Sequence, residues 1–250
     1  MGDRNDSFRE RLTACDQLVG TFVKTPSPIV CEVLAYSSLH VACLDAEHAP
    51  FGRMEMDQCI AAFVAADFPC LVRVGSDSAT DIRNALDCGA TGIVVPHVTT
   101  AEQAARIVKR AHFGEGGRGY AGSPRAAGYG TASRADYIAQ SRRTTTVIVQ
   151  IEDLAALPNV EAIASVEGVD ALFIGRADLS VAMDKPASDP AVIDTVRTVL
   201  EQGRAAGTAV GMFTPALSEL PDWRARGASL FLLSSDHSMI LAGANELARS

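Results

Sequence analysis

Eight apolar, strand-like runs alternating with helical stretches over 250 residues predict an α/β fold, a single-domain (β/α)8 TIM barrel. Three observations carry that prediction. The runs are nearly continuous in apolar side chains, as strands covered on both faces must be. Their alternation with helices requires parallel pairing through right-handed crossovers. No linker rich in Pro, Gly or Ser divides the chain, so one domain is expected over residues 1–250, with a short N-terminal helix and a glycine-rich loop at about 114–130. A hydrophobic content of 48% is enough to fill such a core.

Taken in order, Ser7-Phe8-Arg9-Glu10 has the pattern of a capping box and opens the first helix. Strands follow at 18–23 and at 40–44, the second closing on Asp45-Ala46-Glu47-His48. A helical stretch at 54–66 leads to a strand at 70–74, and another at 78–88 leads to a strand at 92–96. After a helix at 100–111, the β-branched run at 145–151 forms the fifth strand. Helix 159–165 precedes strand 171–175, helix 189–206 precedes strand 208–213, and helix 217–226 precedes strand 229–233. The apolar tail Met239-Ile240-Leu241-Ala242 suits a packing helix, against a neighbouring subunit or against its own barrel.

Composition narrows the function classes. The net charge is −8, and no basic stretch is longer than Arg142-Arg143, which argues against a nucleic-acid partner. The six cysteines never fall in C-x-x-C spacing and read as reduced core residues rather than a zinc or disulfide framework. No stretch approaches the roughly 20 apolar residues of a membrane span. A cytoplasmic enzyme without membrane contact is expected.

The polar residues that end the strands are the informative set. His48, Arg73, His97, Glu152, Asp178, Thr214 and Asp236 each follow an apolar run, so a barrel gathers them at its C-terminal rim, where barrel enzymes keep their sites. Asp45 and His48 pair a carboxylate with an imidazole, the elements of proton transfer near neutral pH. Glu152 and Asp178, at neighbouring strand ends, form a hard oxygen site suited to Mg²⁺ or Mn²⁺, or to Co²⁺. Spacing alone equally allows Glu152 as a helix cap and Asp178 as a turn residue. Arg73 must face an anion, either a protein carboxylate or a substrate oxyanion. Lys24, at the end of the first strand, is the specific rival as a Schiff-base residue. The run Gly114-Glu115-Gly116-Gly117-Arg118-Gly119 matches a dinucleotide fingerprint but follows a helix, so it reads instead as part of an active-site loop carrying Arg118, Arg125 and Tyr129.

Five pieces in order carry a family resemblance: Leu44-Asp45-Ala46-Glu47-His48-Ala49-Pro50; Leu86-Asp87-Cys88-Gly89-Ala90; Gly117-Arg118-Gly119 with Arg125-Ala126 and Tyr129-Gly130; Gln150-Ile151-Glu152; and Phe173-Ile174-Gly175-Arg176-Ala177-Asp178-Leu179-Ser180. From Gly20 to about Asp236 the chain resembles the HpcH/HpaI aldolases, metal-dependent class II pyruvate aldolases on a (β/α)8 barrel. The resemblance implies that Glu152 and Asp178 hold a divalent cation and that Gln150 and the backbone at Ala177 hold the 2-oxo acid. It makes His48 the base, with Asp45 and Asp87 raising its basicity, Arg73 the stabiliser of a pyruvate-type enolate, and Glu47 a structural residue. The products or substrates are then a 2-oxo acid, an aldehyde and a 4-hydroxy-2-oxo acid, and the assembly a homo-oligomer, a trimer of dimers. A citrate-like condensing enzyme and a non-catalytic barrel that binds 2-oxo acids are the alternatives. Arg176 stands where the family has proline and Asp184 where it has glycine, which predicts an altered lip over the pocket and an altered acceptor range.

Overall fold

A computed structural model describes residues 7–214 and 217–249. Eight parallel strands close into a barrel in sequence order: β1 Leu18–Val23, β2 Val41–Asp45, β3 Cys70–Arg73, β4 Gly92–Val95, β5 Thr146–Ile151, β6 Ala171–Ile174, β7 Ala209–Thr214 and β8 Leu230–Ser235. The expected strands are all present, with ends moved by a residue or two. Helices lie outside, and among the described residues no helix is long and apolar enough to cross a membrane.

The pleat sorts the side chains. Val41 and Cys43, Leu71, Val94, Ile148, Ala171 and Phe173, Ala209, and Leu230 and Leu232 point inward and pack on one another. Their neighbours Ala42, Leu44, Cys70, Val72, Val147, Val149, Leu172, Ile174 and Val210 point outward and pack under the helices. Because successive residues alternate between faces, the next inward positions at the strand ends are Lys24, Asp45, Arg73, Gln150, Glu152, Gly175 and Ser234. The periodicity that fills the barrel with apolar side chains therefore delivers these residues to its C-terminal mouth.

The other end is plugged by the helix Phe8–Thr13, whose Phe8 and Leu12, one turn apart, join the interior cluster. Ser7 makes no side-chain cap bond to it, so burial of Phe8 and Leu12 rather than a capping box holds this helix. Elsewhere caps do mark the starts: Ser78, Thr100, Ser133, Asp189 and Ser235 each accept a backbone N–H from the first turn of the helix that follows. Cys31, Cys43, Cys59, Cys70 and Cys88 are buried and free, and Cys15 is exposed and free.

The glycine-rich segment departs from expectation. It follows the helix Ala101–Ala111 and packs outside the barrel: Arg118 pairs with Asp87 and bonds the Tyr137 hydroxyl, Arg125 pairs with Asp57, and Tyr129 is exposed. Within one chain it lines no part of the rim cavity described below.

Candidate active site

Asp45 and Arg73 end adjacent strands as register partners. Their side chains meet in a two-point pair, Arg73 Nε to Asp45 Oδ1 at 3.0 Å and Nη2 to Oδ2 at 2.8 Å. Lys24 Nζ lies 3.2 Å from the same Oδ2. Asp45 is fully buried, which alone would raise its pKa; the charge and hydrogen bond of Arg73, with the His48 N–H and the Lys24 charge, outweigh that and hold its carboxyl below the usual range. The guanidinium stacks 4.6 Å over the Phe22 ring, which packs on Phe173 and Phe213. Arg73 thus faces protein carboxylates, while one side of it opens on a cavity of about 350 Å³.

His48 does not receive a ring contact from Asp45. Its backbone N–H donates to Asp45 Oδ1 at 3.2 Å, and its imidazole Nε2 lies 3.6 Å from Glu47 Oε2. Glu47, expected as a structural residue, is therefore the carboxylate beside the ring, and it is also 3.3 Å from Arg73 Nε and 3.6 Å from His97 Nε2. A strand end followed by a tight turn throws Asp45 inward and Glu47 over the rim, which the spacing D-x-E-H does not disclose. Asp87 is not brought to His48 within the chain. It closes the helix Ala79–Asp87, which runs from the rim back toward the barrel floor, and its carboxylate is taken by Arg118.

Glu152 stands one residue beyond β5 with its side chain 2% exposed. Burial first, then the nearby charge of Asp178, pushes its pKa above the ordinary value, against hydrogen bonds from the His97 backbone and the Gln150 amide. His97 N–H donates to Glu152 Oε1 at 2.8 Å, and Gln150 Nε2 donates to Oε2. Gly175, bonded through its N–H to Ile151 O at 3.0 Å, separates Glu152 from Asp178. A Cβ there would lie 2.8 Å from Glu152 Oε2 and 3.3 Å from Asp178 Oδ2, so glycine keeps the gap between the two carboxylates open. Gln150 Oε1 is buried with no hydrogen-bond partner. Two carboxylates over an open gap, beside an unmatched amide oxygen, fit a hard divalent cation. Glu47, His97 and Glu152 also offer ligand atoms within 4.8 Å of one another, so His97 joins the candidate set. The sequence placed it at the rim, but its position rests on a left-handed backbone (φ 56°) that no spacing reveals.

The remaining rim residues divide. Asp178 and Ala177 lie exposed in the first turn of the helix Arg176–Ala182 and line the cavity with Lys24, His48, Gln150, Arg176 and Ser234. Asp236 is structural: its carboxylate accepts the Lys24 and Thr25 N–H groups at 2.8 and 2.9 Å, closing β8 onto β1. Lys24, paired with a buried carboxylate, lacks the desolvated, unpaired setting of a Schiff-base amine.

A family model described as HpcH/HpaI aldolase/citrate lyase matches residues 18–242. The chain belongs to that family. Within the HpcH/HpaI family it is 34% identical, over 246 residues, to a 5-keto-4-deoxy-D-glucarate aldolase of Salmonella arizonae, covering 97% of this chain and 95% of the relative. Its fold matches an HpcH/HpaI aldolase/citrate lyase family protein of Burkholderia cenocepacia with a TM-score of 0.92 and 32% identity over 98% of both chains. It also matches the citrate synthase SbnG, with a TM-score of 0.87 and 29% identity over 98% and 97% of the two chains. The protein is a carbon–carbon lyase, a class II aldolase acting on small molecules.

Proposed function

We propose that the protein makes and cleaves 4-hydroxy-2-oxo acids, joining a pyruvate-type 2-oxo acid to a short, hydroxylated, acidic aldehyde, with Glu152 and Asp178 holding Mg²⁺ or Mn²⁺, or alternatively Co²⁺. The observation that carries this reading is the buried Glu152 carboxyl facing Asp178 across side-chain-free Gly175, beside the cavity that Arg73 enters. A cation bound there supplies Lewis-acid polarisation of the 2-oxo acid. Gln150 fixes Glu152 and, with the backbone N–H of Ala177, which has no intrahelical acceptor in the first helical turn, orients that acid. Arg73 balances the negative charge that grows on the keto oxygen as the C3 proton leaves; one preorganised donor of this kind is worth about 3 kcal/mol of barrier. His48 moves that proton through a water, with Glu47 orienting its ring. Phe22, Phe173 and Phe213 keep that end of the cavity dry. Lys24 and the hydroxyls of Ser234, Ser235 and Ser238 line the cavity's other end and suit the acidic, hydroxylated aldehyde, which agrees with the sugar-acid substrate named for the Salmonella relative.

The same reading makes the protein a cytoplasmic homo-oligomer, a trimer of dimers, with the exposed Ile240 and Leu241 of the last helix as a contact face. A part for Asp87 in basicity at His48 then requires a neighbouring copy of the chain to bring it there. Chelation tests the chemistry. EDTA abolishes aldol activity, Mg²⁺ or Mn²⁺ restores it, and borohydride with pyruvate leaves the enzyme active; activity that survives EDTA and is trapped by borohydride overturns the reading.

A further inference from the structure

His97 stands just beyond β4 with its ring among three carboxylates. Nδ1 lies 3.1 Å from Asp153 Oδ2 and 3.4 Å from Glu152 Oε1, and Nε2 lies 3.6 Å from Glu47 Oε1. A proton on Nδ1, donated to Asp153, leaves the Nε2 lone pair facing Glu47; a carboxylate behind the ring is how proteins commonly orient a metal-binding histidine. The Glu47 side chain is nine-tenths buried, and its Oε2 accepts no hydrogen bond. The guanidinium that reaches it, Arg73 at 3.3 Å, is already held at two points by Asp45. A buried carboxylate so weakly satisfied favours a cation beside it.

Glu152 presents an oxygen to each of two sides. Oε2 looks across Gly175, where a Cβ would lie 2.8 Å from it and 3.3 Å from Asp178 Oδ2. Oε1 accepts the His97 N–H at 2.8 Å and lies on the side of the His97 ring. One carboxylate thus borders an all-oxygen gap with Asp178 and a nitrogen-containing cluster with His97 and Glu47. In that cluster the three residues offer ligand atoms within 4.8 Å of one another. A tetrahedral zinc with bonds of about 2.0–2.1 Å spaces its ligand atoms about 3.4 Å apart. A small turn of the His97 ring, which is 59% exposed, closes the cluster to that spacing.

We propose that Glu47, His97 and Glu152 form a second cation site, separate from the gap between Glu152 and Asp178, that takes Zn²⁺ or Co²⁺ in preference to Mg²⁺. Imidazole nitrogen suits zinc and cobalt, whereas magnesium holds to oxygen. Two ions about 3.5–4 Å apart are a common arrangement in enzymes, and a shared carboxylate offsets their repulsion. The second site shares Glu152 with the cation of the aldol reading but does not depend on that reading. An ion there fixes Glu47, the carboxylate beside the His48 ring, and Asp153 is a positioning residue for His97.

Cobalt is the probe, because an ion bound through nitrogen in four- or five-fold coordination absorbs visible light far more strongly than one in six-fold oxygen coordination. EDTA-stripped protein is dialysed against Co²⁺, with and without excess Mg²⁺, and bound cobalt is read by metal analysis and by absorption. The unaltered protein should hold about two equivalents of Co²⁺ per chain without Mg²⁺ and about one, strongly absorbing, with it. The Mg²⁺-resistant equivalent should persist in Asp178→Asn and vanish in His97→Ala. In Asp153→Asn it should bind about 10–100-fold more weakly, and this variant carries the test if His97→Ala does not fold. Cobalt displaced in full by Mg²⁺, or retained equally by His97→Ala, overturns the second site and leaves the aldol reading standing. A single equivalent that resists Mg²⁺ and requires His97, with no Mg²⁺-sensitive companion, overturns instead the placement of a cation between Glu152 and Asp178.

Discussion

Arg73 is held at two points by the buried carboxylate of Asp45, and the proposed reaction adds a second demand, a developing oxyanion faced from the same fixed position. Removing it leaves Asp45 charged and unpaired in the interior, a change that costs about 3–5 kcal/mol. Arg73→Ala should therefore melt well below the unaltered protein, whereas Arg73→Lys, which keeps the charge and loses the fork, should stay folded and lose about 10²-fold in kcat. Asp45 also predicts an acid limb of stability. Its folded pKa lies below its unfolded value, so its contribution is complete above the unfolded pKa and disappears as pH falls through the folded one. Denaturation against pH should show this slope below the ordinary carboxylate range, and Asp45→Asn should flatten it. Glu152 has the opposite sign: burial raises its pKa, so at neutral pH its charge weighs against folding of the cation-free protein. Glu152→Gln should raise the Tm of EDTA-treated protein and abolish the Tm increase that Mn²⁺ gives the unaltered enzyme.

At the scale of elements, local chemistry was largely readable. Alternating apolar runs located all eight strands, since a doubly covered strand has few other ways to be written. The glycine that the family resemblance implies at position 184 has a reason in the backbone: Asp184 ends the helix Arg176–Ala182 in the left-handed region, φ 52°, with its N–H on Val181 O. Glycine takes that conformation without the Cβ penalty, so Asp184→Gly should stabilise the protein by about 0.5–1 kcal/mol in urea titrations. Contacts between side chains were less readable than elements. Glu47 beside His48 and His97, and Asp87 taken by Arg118, depend on which way a turn throws a side chain and on which face of a helix a loop lands. Residues 47 and 97, or 87 and 118, bear no local sign of each other, so the sequence located the rim residues without the contacts between them.

Across the whole molecule, the barrel explains why residues as distant in sequence as Asp45, Glu152 and Asp178 share one mouth: each sits at or just beyond the C-terminal end of a strand, and parallel closure puts all eight such ends on one rim. The floor is filled and plugged by Phe8 and Leu12, which leaves the rim as the open end. Family membership and this geometry agree on aldol chemistry, and the citrate synthase relative shares the same barrel. The most direct measurement of the central claim is exchange of the pyruvate methyl protons in D₂O, followed by proton NMR, with EDTA-treated, cation-free protein and again after Mg²⁺ or Mn²⁺ is added. The account predicts wash-in of deuterium without any aldehyde, dependent on the added cation and lost in Glu152→Gln and in His48→Ala. Exchange that persists in Glu152→Gln after EDTA treatment would contradict it.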